Sequence, residues 1–500
     1  MNLSNNLSSA ALFFPDRPAV CHNGKEISYA GLNEFSSRIA GGLIKSGIHK
    51  GDLIALCAPN SIEWIAFYFG VIRAGASAVT LSSLLKSDEL AHLLGHSRPR
   101  HLYTSDQILP EIKKIQASVG IEKIISPSGD MDLDTLAGLG SPNFPAADME
   151  RGDTAAVLYT GGTTGIPKGV MLTHENIITS SHNVAFSEKS TETDRALCFL
   201  PFNHVFGQIH IMNGTVISSG CLEILPAFDM DRVLEVIGRG LVTKFYAVPT
   251  VYMRLLTVQG LKKKLGNIRY CFSAAASMSA EIVLRWNEVT GLRIHECYGM
   301  TETASIVTFN HWHRYINGSV GTAAPGIEVQ IRDSGGQEVA SGTGGEICIR
   351  GRNVMKGYLN NHDATCEAFY EGSWLRSGDI GFLDKDGYLY IVDRLKDMII
   401  TGGENVYPRE VEEILYGREE VLECAVLGLP DKEWGEIVTA FIVPKEGQII
   451  ESEALKSFLK TRISSFKIPK KYIVLDQLPK SPAGKILKRE LKNIYSTGSL

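Results

Sequence analysis

The sequence has little cysteine and none of the spacing that would give cysteine a structural task. Its 500 residues include nine cysteines, and no two of them have the C-x-x-C spacing of a redox motif or a zinc site. We therefore expect free thiols in a reducing compartment, with the cytoplasm as the location. The opening residues, MNLSNNLSSAALFFP, also lack the basic segment of a signal peptide.

Long hydrophobic runs and an excess of one charge are missing as well. The most apolar segment, IEWIAFYFGVIRAGASAVTL, contains Glu63 and Arg73, so it is interpreted as a buried helix followed by a strand and not as a membrane span. The formal net charge is −5, which gives no bulk attraction to nucleic acid. A length of 500 residues predicts two or more domains.

An alternation of strand-like and helix-like segments occupies most of the chain. It predicts layered α/β sheets with largely parallel strands. From about residue 318, short β-like runs separated by glycine turns predict a small antiparallel sheet or distorted barrel. The last hundred residues return to mixed helices and strands and predict a separate small α+β domain.

The stretch YTGGTTGIPKGV, Tyr159 to Val170, is rich in groups that bind phosphate. Glycine lets backbone N–H groups approach phosphate oxygens, threonine adds hydroxyl donors and Lys168 adds a mobile charge. A Walker P-loop is excluded because Pro167 precedes the lysine and Gly169 follows it. The loop is expected to join two strands, and an ordinary surface hairpin remains an alternative.

Three later segments carry further chemistry, although each has an ordinary alternative. YGMTET, Tyr298 to Thr303, combines an aromatic ring that could stack on a base with a carboxylate and a hydroxyl that could hold magnesium. WLRSGDIG offers Asp379, which could accept hydrogen bonds from ribose or simply close an Asx turn. LPKSPAGKILKREL contains Lys485, which could serve the site or be a surface lysine.

The region from Lys456 to Lys492 holds eleven basic residues against Asp476 and Glu490. It could be a solvated basic face or a lid that brings positive charge to phosphates. A peripheral membrane contact is a further possible use of this face.

Taken together and in this order, the segments resemble the adenylate-forming (AMP-binding) superfamily. GEICIRG, GYLN and DRLKDMIITGGENVYPREVEEIL place the chain near its acyl-CoA synthetase and 4-coumarate-CoA ligase-like branch. The resemblance covers nearly the whole chain. It implies an N-terminal adenylation domain, residues 1–394, that holds ATP and the acyl group, then a small mobile lid, residues 397–500, with a hinge near Lys396.

The resemblance also implies the residues that bind ATP. The β- and γ-phosphates would contact one loop: Thr160, Gly161, Gly162, Thr163, Thr164, Gly165 and Lys168. The segment along adenine would be Ser273, Ala274, Ala275 and Ala276. Tyr298 would stack on the base, Asp379 would take the ribose hydroxyls with Arg394 nearby, Thr301 would contact the α-phosphate and Glu302 would bind Mg²⁺.

Three further roles follow from the same resemblance. Lys485 would bridge the carboxylate and the α-phosphate during adenylation. After the lid swings about Lys396, Gly402 and Gly403 would reach a tunnel for the pantetheine arm of CoA. His204 would gate the mouth of the acyl pocket, although a buried histidine satisfied by the backbone is an equal alternative.

The function implied is an ATP-dependent acid–CoA ligase that forms an acyl-adenylate and releases AMP and pyrophosphate. The pocket walls implied by the resemblance, Phe202–Gln208 and Val248–Tyr252, contain no arginine or lysine, which disfavours a dicarboxylate. A medium- or long-chain fatty acid is expected, with an aryl or cyclic acid as the alternative. A carrier protein's phosphopantetheine could replace CoA as acceptor, and a non-catalytic nucleotide-binding relative is a further alternative.

Overall fold

The computed structural model describes residues 1–160, 167–276, 278–481 and 486–496. Its strands are β1 (Pro18–His22), β2 (Lys25–Ser28), β3 (Leu53–Cys57), β4 (Ser77–Thr80), β5 (His101–Thr104), β6 (Lys123–Ile125), β7 (Thr154–Thr160), β8 (Lys168–Thr173), β9 (Arg195–Cys198), β10 (Cys221–Ile224), β11 (Lys244–Ala247), β12 (Tyr270–Ser273), β13 (Ile294–Tyr298), β14 (Thr308–Phe309), β15 (Thr322–Ala323), β16 (Ile327–Arg332), β17 (Gly345–Gly351), β18 (Gly357–Tyr358), β19 (Phe369–Tyr370), β20 (Trp374–Leu383), β21 (Leu389–Arg394), β22 (Ile399–Thr401), β23 (Glu404–Val406), β24 (Val421–Asp431), β25 (Gly435–Pro444) and β26 (Lys471–Val474).

The α-helices are α1 (Asn5–Phe13), α2 (Tyr29–Lys45), α3 (Ile62–Arg73), α4 (Ser87–Ser97), α5 (Leu109–Val119), α6 (Leu133–Leu139), α7 (His174–Ser187), α8 (Gly214–Ile217), α9 (Met230–Gly238), α10 (Pro249–Leu255), α11 (Leu261–Lys264), α12 (Ala280–Thr290), α13 (His362–Glu367), α14 (Pro408–Tyr416), α15 (Ser452–Lys460) and α16 (Lys488–Ser496). A π-helix spans Phe206–Asn213, and short 3₁₀ turns span Thr301–Thr303, Leu395–Asp397 and Ser465–Lys467.

Two large sheets form the layered part of the molecule. One has the order β15–β14–β13–β12–β11–β9–β10–β1–β2, and the other has the order β18–β8–β7–β4–β3–β5–β6. Most neighbours in them are parallel, and antiparallel pairs occur at β1–β2, β13–β14–β15 and β7–β8–β18. The α/β fold class expected from the sequence is confirmed.

The apolar segment that could have been mistaken for a membrane span is helix α3, followed by strand β4. Ser61 caps the helix by accepting a hydrogen bond from the Trp64 N–H. The helix is buried on nearly all sides because it packs between α2 and the sheet, so its apolar residues belong to the main core. Within the described ranges, no helix is both long and apolar enough to cross a membrane.

A third sheet, β16–β17–β20–β19 with β21 on β20, is antiparallel throughout. It agrees with the small antiparallel sheet expected from the glycine turns. The fourth sheet, β23–β22–β25–β24 with β26 on β25, belongs to the small domain. That domain has two hydrophobic clusters of its own, built from residues between Ile399 and Leu491, so its core does not depend on the large domain.

The candidate site residues lie at the ends of strands in two sheets. β12 and β13 are parallel neighbours, so Ser273 and Tyr298 both lie at the carboxyl edge of their sheet. The glycine-rich loop joins β7 and β8, which pair antiparallel with Thr160 opposite Lys168. The sequence expectation that this loop joins two strands is therefore confirmed.

Candidate active site

Tyr298 and Asp379 form a buried pair at the end of β13. The Tyr298 hydroxyl donates a hydrogen bond of 2.6 Å to Asp379 Oδ2. Arg394, opposite Asp379 across the β20–β21 pair, places its Nε 3.3 Å from Asp379 Oδ1. Burial and the neighbouring carboxylate both raise the pKa of Tyr298, so its hydroxyl stays protonated and remains a donor. The aromatic ring and the carboxylate are thus fixed side by side.

A second cluster joins Lys168, Tyr358 and Glu302. The Tyr358 hydroxyl donates to Glu302 Oε1 at 2.9 Å, and the Lys168 ammonium lies 4.8 Å from the centre of the Tyr358 ring. Glu302 is buried, and burial raises its pKa, an effect that Tyr358 and Arg394 partly offset. Arg394 therefore acts on both Asp379 and Glu302, which places the two clusters in one electrostatic environment.

The remaining nucleotide-site candidates flank these clusters. Ser273 is buried, and within the described part of the chain its hydroxyl has no hydrogen-bond partner. Ala274 and Ala275 are half-buried and Ala276 is exposed. Ala275 adopts a left-handed φ of 71°, which marks a tight turn directly after β12. Thr160 and Thr301 are half-buried.

His204 begins the segment that leads into the π-helix. Its ring is half-buried, and Nδ1 accepts a hydrogen bond of 3.2 Å from the Phe206 N–H. One ring nitrogen is thus satisfied by backbone, as one alternative expected. The partial exposure of the ring also leaves the gating role open.

Some predicted residues lie elsewhere or outside the described ranges. Lys396 is exposed in the 3₁₀ turn between the two domains. Gly402 and Gly403 form the two-residue turn of the β22–β23 hairpin, where both have positive φ (59° and 86°), as a type I′ turn requires. The predictions for Gly161, Gly162, Thr163, Thr164, Gly165 and Lys485 fall outside the described residues.

A buried ionic cluster that the sequence did not predict lies behind the π-helix. Glu188 accepts hydrogen bonds from Lys244 Nζ at 2.9 Å, from His210 Nε2 at 2.7 Å and from the Tyr246 hydroxyl. His210 Nδ1 is buried and has no hydrogen-bond partner among the residues that the structure describes. The members come from the residue after α7, from β11 and from the π-helix, so only the fold brings them together.

Tyr358 was also missed as a site residue. It belongs to GYLN, which contributed to the resemblance only as a segment. Gly357, directly before it, has a φ of 146°, and Tyr358 pairs with Val170 of β8, but neither feature can be recognised in the sequence. Its contact with Glu302, 56 residues away, has no signature in the sequence.

A large layered α/β domain followed by a small α+β domain is the architecture of the adenylate-forming enzymes. The family model described as AMP-binding enzyme matches residues 7–359, and the AMP-binding enzyme C-terminal domain matches residues 410–485. The chain therefore belongs to the AMP-binding enzyme family, and it is an AMP-forming acid–CoA ligase.

Relatives and solved structures cover almost the full chain. A feruloyl-CoA synthase of Amycolatopsis sp is 35% identical and spans 96% of both chains. A long-chain-fatty-acid–CoA ligase of Bacillus subtilis (strain 168) is 33% identical, over 97% of this chain and 93% of the relative. The crystal structure of ATP-bound MatB from Rhodopseudomonas palustris is 33% identical, covers 99% of both chains and superposes with a TM-score of 0.93. ATP and CoA are substrates of such ligases.

Proposed function

We propose that this ligase joins its acid to ATP in one site built from the two clusters described above. The observation that carries the proposal is the pairing of an aromatic ring with a carboxylate (Tyr298 and Asp379) beside a lysine and a second carboxylate (Lys168 and Glu302). The first pair suits a nucleoside, and the second suits a metal-bound triphosphate. The acyl-adenylate formed there then transfers its acyl group to the thiol of CoA.

For the nucleoside, Tyr298 supplies a flat buried face for adenine at the edge formed by Ser273–Ala276. Its hydroxyl occupies Oδ2 of Asp379, so the carboxylate is held in one orientation toward ribose hydroxyls. Arg394 places its Nε 3.3 Å from Oδ1 and so holds the second carboxylate oxygen beside a positive charge.

For the phosphates, the loop from Thr160 to Lys168 supplies donors and one cation. Glu302 fits a magnesium ligand: it is a buried carboxylate, and no ion pair to it forms within the described parts of the chain. One or two carboxylates together with phosphate oxygens are the usual environment of Mg²⁺. When bound, Mg²⁺ supplies the charge that neutralises the triphosphate.

The chemistry needs charge neutralisation more than proton transfer. A carboxylic acid is already ionised at neutral pH, so its oxygen attacks the α-phosphorus without a general base. Thr301 would contact the α-phosphate, Lys485 would bridge it to the attacking carboxylate, and His204 would admit the acid. Their contribution is positioning and electrostatic stabilisation of the transition state.

For the thioester step, we propose that residues 397–500 turn about Lys396 relative to residues 1–394. Lys396 is exposed in a short turn between two sheets, a place that can absorb a backbone rotation. The exposed Gly402–Gly403 turn has no side chain on its tip, so it can lie against a narrow pantetheine arm.

For the acid, we favour a compact aromatic acid over the medium- or long-chain fatty acid expected from the sequence. The Phe206 ring lies 5.4 Å from that of His210 and 5.7 Å from that of Phe272, so this wall residue is backed by buried aromatic rings. His210 Nδ1, which has no hydrogen-bond partner among the described residues, would accept a hydrogen bond from a hydroxyl or amino group on the acid. An alkyl chain would leave this nitrogen unsatisfied.

The acceptor and the surroundings of the enzyme are part of the same proposal. CoA is favoured over a carrier protein because the curated relatives named above are CoA ligases. All nine cysteines are free, which supports the cytoplasm or another reducing compartment. A peripheral membrane contact draws support only from the basic residues of the small domain.

An acid screen by ATP–pyrophosphate exchange tests the proposal. The panel pairs cinnamate and benzoate with their para-hydroxy derivatives and adds straight-chain acids from hexanoate to palmitate. We expect the highest kcat/KM for a ring acid with a donor, and His210→Phe should remove the preference for the hydroxyl. Higher kcat/KM with fatty acids would refute the ring assignment, and no exchange with any acid would refute adenylation. Mass measurement of products with CoA or with a holo carrier protein identifies the acceptor.

A further inference from the structure

Tyr358 lies between the two charged groups that face the proposed triphosphate. Its hydroxyl donates to Glu302 Oε1 at 2.9 Å, and its ring faces the Lys168 ammonium at 4.8 Å. One side chain therefore contacts a cation with its ring and an anion with its hydroxyl. Tyr358 is itself half-buried, so both contacts are partly shielded from water.

The backbone around Tyr358 fixes it to the strand that carries Lys168. Tyr358 pairs with Val170 in the antiparallel β8–β18 ladder, and the Leu359 N–H donates to the Gly169 carbonyl at 2.7 Å. The Tyr358 N–H donates to the Thr365 hydroxyl at 2.9 Å. The ring is thus held at a set distance from Lys168.

Glu302 is tied to the same segment from the other side. The Met355 N–H donates to the Glu302 carbonyl at 2.8 Å, and the Asn353 side chain donates to the Thr303 carbonyl at 3.1 Å. The segment from Asn353 to Tyr358 therefore connects the turn after β13 with the β7–β8 hairpin. These two parts belong to different sheets.

The hydroxyl and the ring have separate physical effects. The hydroxyl occupies one carboxylate oxygen and so fixes the plane of the Glu302 carboxylate, which sets where the other oxygen points. The ring attracts an ammonium on a flexible four-carbon stem and reduces the positions it samples. Both effects lower the cost of ordering these groups when a ligand binds.

We propose that Tyr358 is a positioning residue that holds Lys168 and Glu302 in register for the magnesium–triphosphate part of ATP. The proposal rests on the function proposed above, because it takes Glu302 as a ligand of the metal. It predicts that the hydroxyl acts on the metal-dependent part of ATP binding and that the ring acts on the phosphate-dependent part.

The experiment compares two substitutions of Tyr358 with a matched control. Tyr358→Phe removes the hydroxyl and keeps the ring, and Tyr358→Leu removes both. The control is Tyr370→Phe, because the Tyr370 hydroxyl also donates to a carboxylate, Glu346 at 3.1 Å, and its ring also faces a cation, Arg376 at 4.6 Å. It carries the same chemistry outside the proposed site.

Calorimetric titration of the full-length protein with ATP, in Mg²⁺ and in EDTA, is the main readout. Loss of a hydrogen bond to a charged group predicts about 10-fold weaker binding of MgATP by Tyr358→Phe, with ATP binding in EDTA within about 2-fold of wild type. Tyr358→Leu should weaken both. The EPR signal of Mn²⁺ in the enzyme–ATP complex should broaden in both variants, because the carboxylate plane is no longer fixed. Tyr370→Phe should match wild type.

Steady-state kinetics add a second readout that a merely structural role would not give. KM for MgATP should rise in Tyr358→Phe, and KM for the acid and for CoA should stay at the wild-type values. Wild-type MgATP affinity in Tyr358→Phe, or a rise in all three KM values together, overturns the proposal. Glu302→Gln tests the assignment of Glu302 to the metal separately from the role of Tyr358. If this variant binds MgATP as wild type does, the assignment of Glu302 to the metal is wrong, and the proposal for Tyr358 is overturned with it.

Discussion

Glu188 shows how individual residues in this core are stabilised by specific partners. Burial alone would raise the pKa of its carboxyl group, but the Lys244 ammonium and hydrogen bonds from His210 and Tyr246 outweigh burial and lower the pKa from 4.5 to about 2. A buried carboxylate with three donors stays ionised over the whole physiological range. Its charge therefore contributes to the stability of the large domain, next to the proposed acid wall.

The sign of this shift predicts an acid-sensitive stability. Because the pKa is lower in the folded state, the contribution is complete above about pH 4.5 and is lost as pH falls toward about 2. A shift of this size corresponds to about 3 kcal/mol. Glu188→Gln should lower the free energy of unfolding at pH 7 by about that amount and flatten its decline between pH 5 and pH 3, as measured by urea unfolding at each pH.

An exposed carboxylate provides the control for this prediction. Glu34 pairs with Arg38 at 2.9 Å on the surface, and its side chain is 51% exposed. Glu34→Gln should change the free energy of unfolding by less than about 1 kcal/mol at either pH. A parallel decline of Glu188→Gln and wild type on acidification would show that the Glu188 charge does not carry this stability.

Single residues were predictable from the sequence to the extent that their chemistry lies in a local motif. Tyr298, Glu302 and Asp379 stand in recognisable segments and were named from them. The hydrogen bond between Tyr298 and Asp379 joins residues 81 positions apart, and the Glu188–Lys244 contact joins residues 56 apart. Such contacts depend on which strands become neighbours, and a single sequence does not encode that in any local pattern.

At the scale of elements, the turn after β13 has a strict steric requirement. A Cβ atom on Gly299 would lie 1.4 Å from the carbonyl oxygen of Ser305, because the chain folds back on itself between them. The Ser305 N–H donates to the Met300 carbonyl at 3.2 Å and closes the turn. Glycine is therefore required here for space, and the turn sets the position of Glu302.

Gly299→Ala should open this turn and displace Glu302. We expect a loss of about 3 kcal/mol in the free energy of unfolding, as for an overpacked core, and loss of ATP–pyrophosphate exchange. The control is Gly95→Ala in helix α4, where nothing lies within 4 Å of an added Cβ atom. It should gain about 1 kcal/mol from helix propensity and keep full exchange. Wild-type stability and exchange in Gly299→Ala would contradict the turn geometry.

Element types were easier to predict than their order in the sheets. The apolar segment interpreted as a helix followed by a strand occurs as α3 and β4, because apolar periodicity is a local property. In the sheet, β9 lies between β11 and β10, so β10 and β11 are consecutive in the chain but are not neighbours. The π-helix at Phe206–Asn213 inserts an irregular turn into an apolar run. Both features arise from packing between distant segments.

At the scale of the whole molecule, part of the basic region of the small domain is neutralised by glutamates of the same domain. Lys467, Lys480, Lys488 and Lys492 each form an ion pair of 2.5–2.7 Å with a glutamate: Glu410, Glu423, Glu412 and Glu436. The sequence separates these partners by about 56 to 76 residues, so the run looked more basic than it is. Less free positive charge remains for a membrane surface or for phosphate than the run of lysines suggested.

Because several of these lysines are already paired with glutamates, we expect the proposed movement of the small domain to act through single residues and not through a charged face. If the domain presents Lys485 in the first step and the Gly402–Gly403 turn in the second, Lys485→Ala should lower ATP–pyrophosphate exchange by about 10³-fold. Thioester formation from a synthetic acyl-adenylate and CoA should stay within about 3-fold of wild type, because that step places a different part of the domain in the site.

Lys480→Ala is the matched control. It removes a lysine of the same region, and this lysine already forms an ion pair with Glu423 at 2.5 Å. It should leave both half-reactions within about 2-fold of wild type and lower only the unfolding midpoint of the small domain, because it leaves Glu423 buried without its partner. Equal losses of both half-reactions in Lys485→Ala would mean that the lysine serves one fixed site. The two steps would then have to share a single arrangement of the domains, and the turn at Lys396 would be a linker without a part in catalysis.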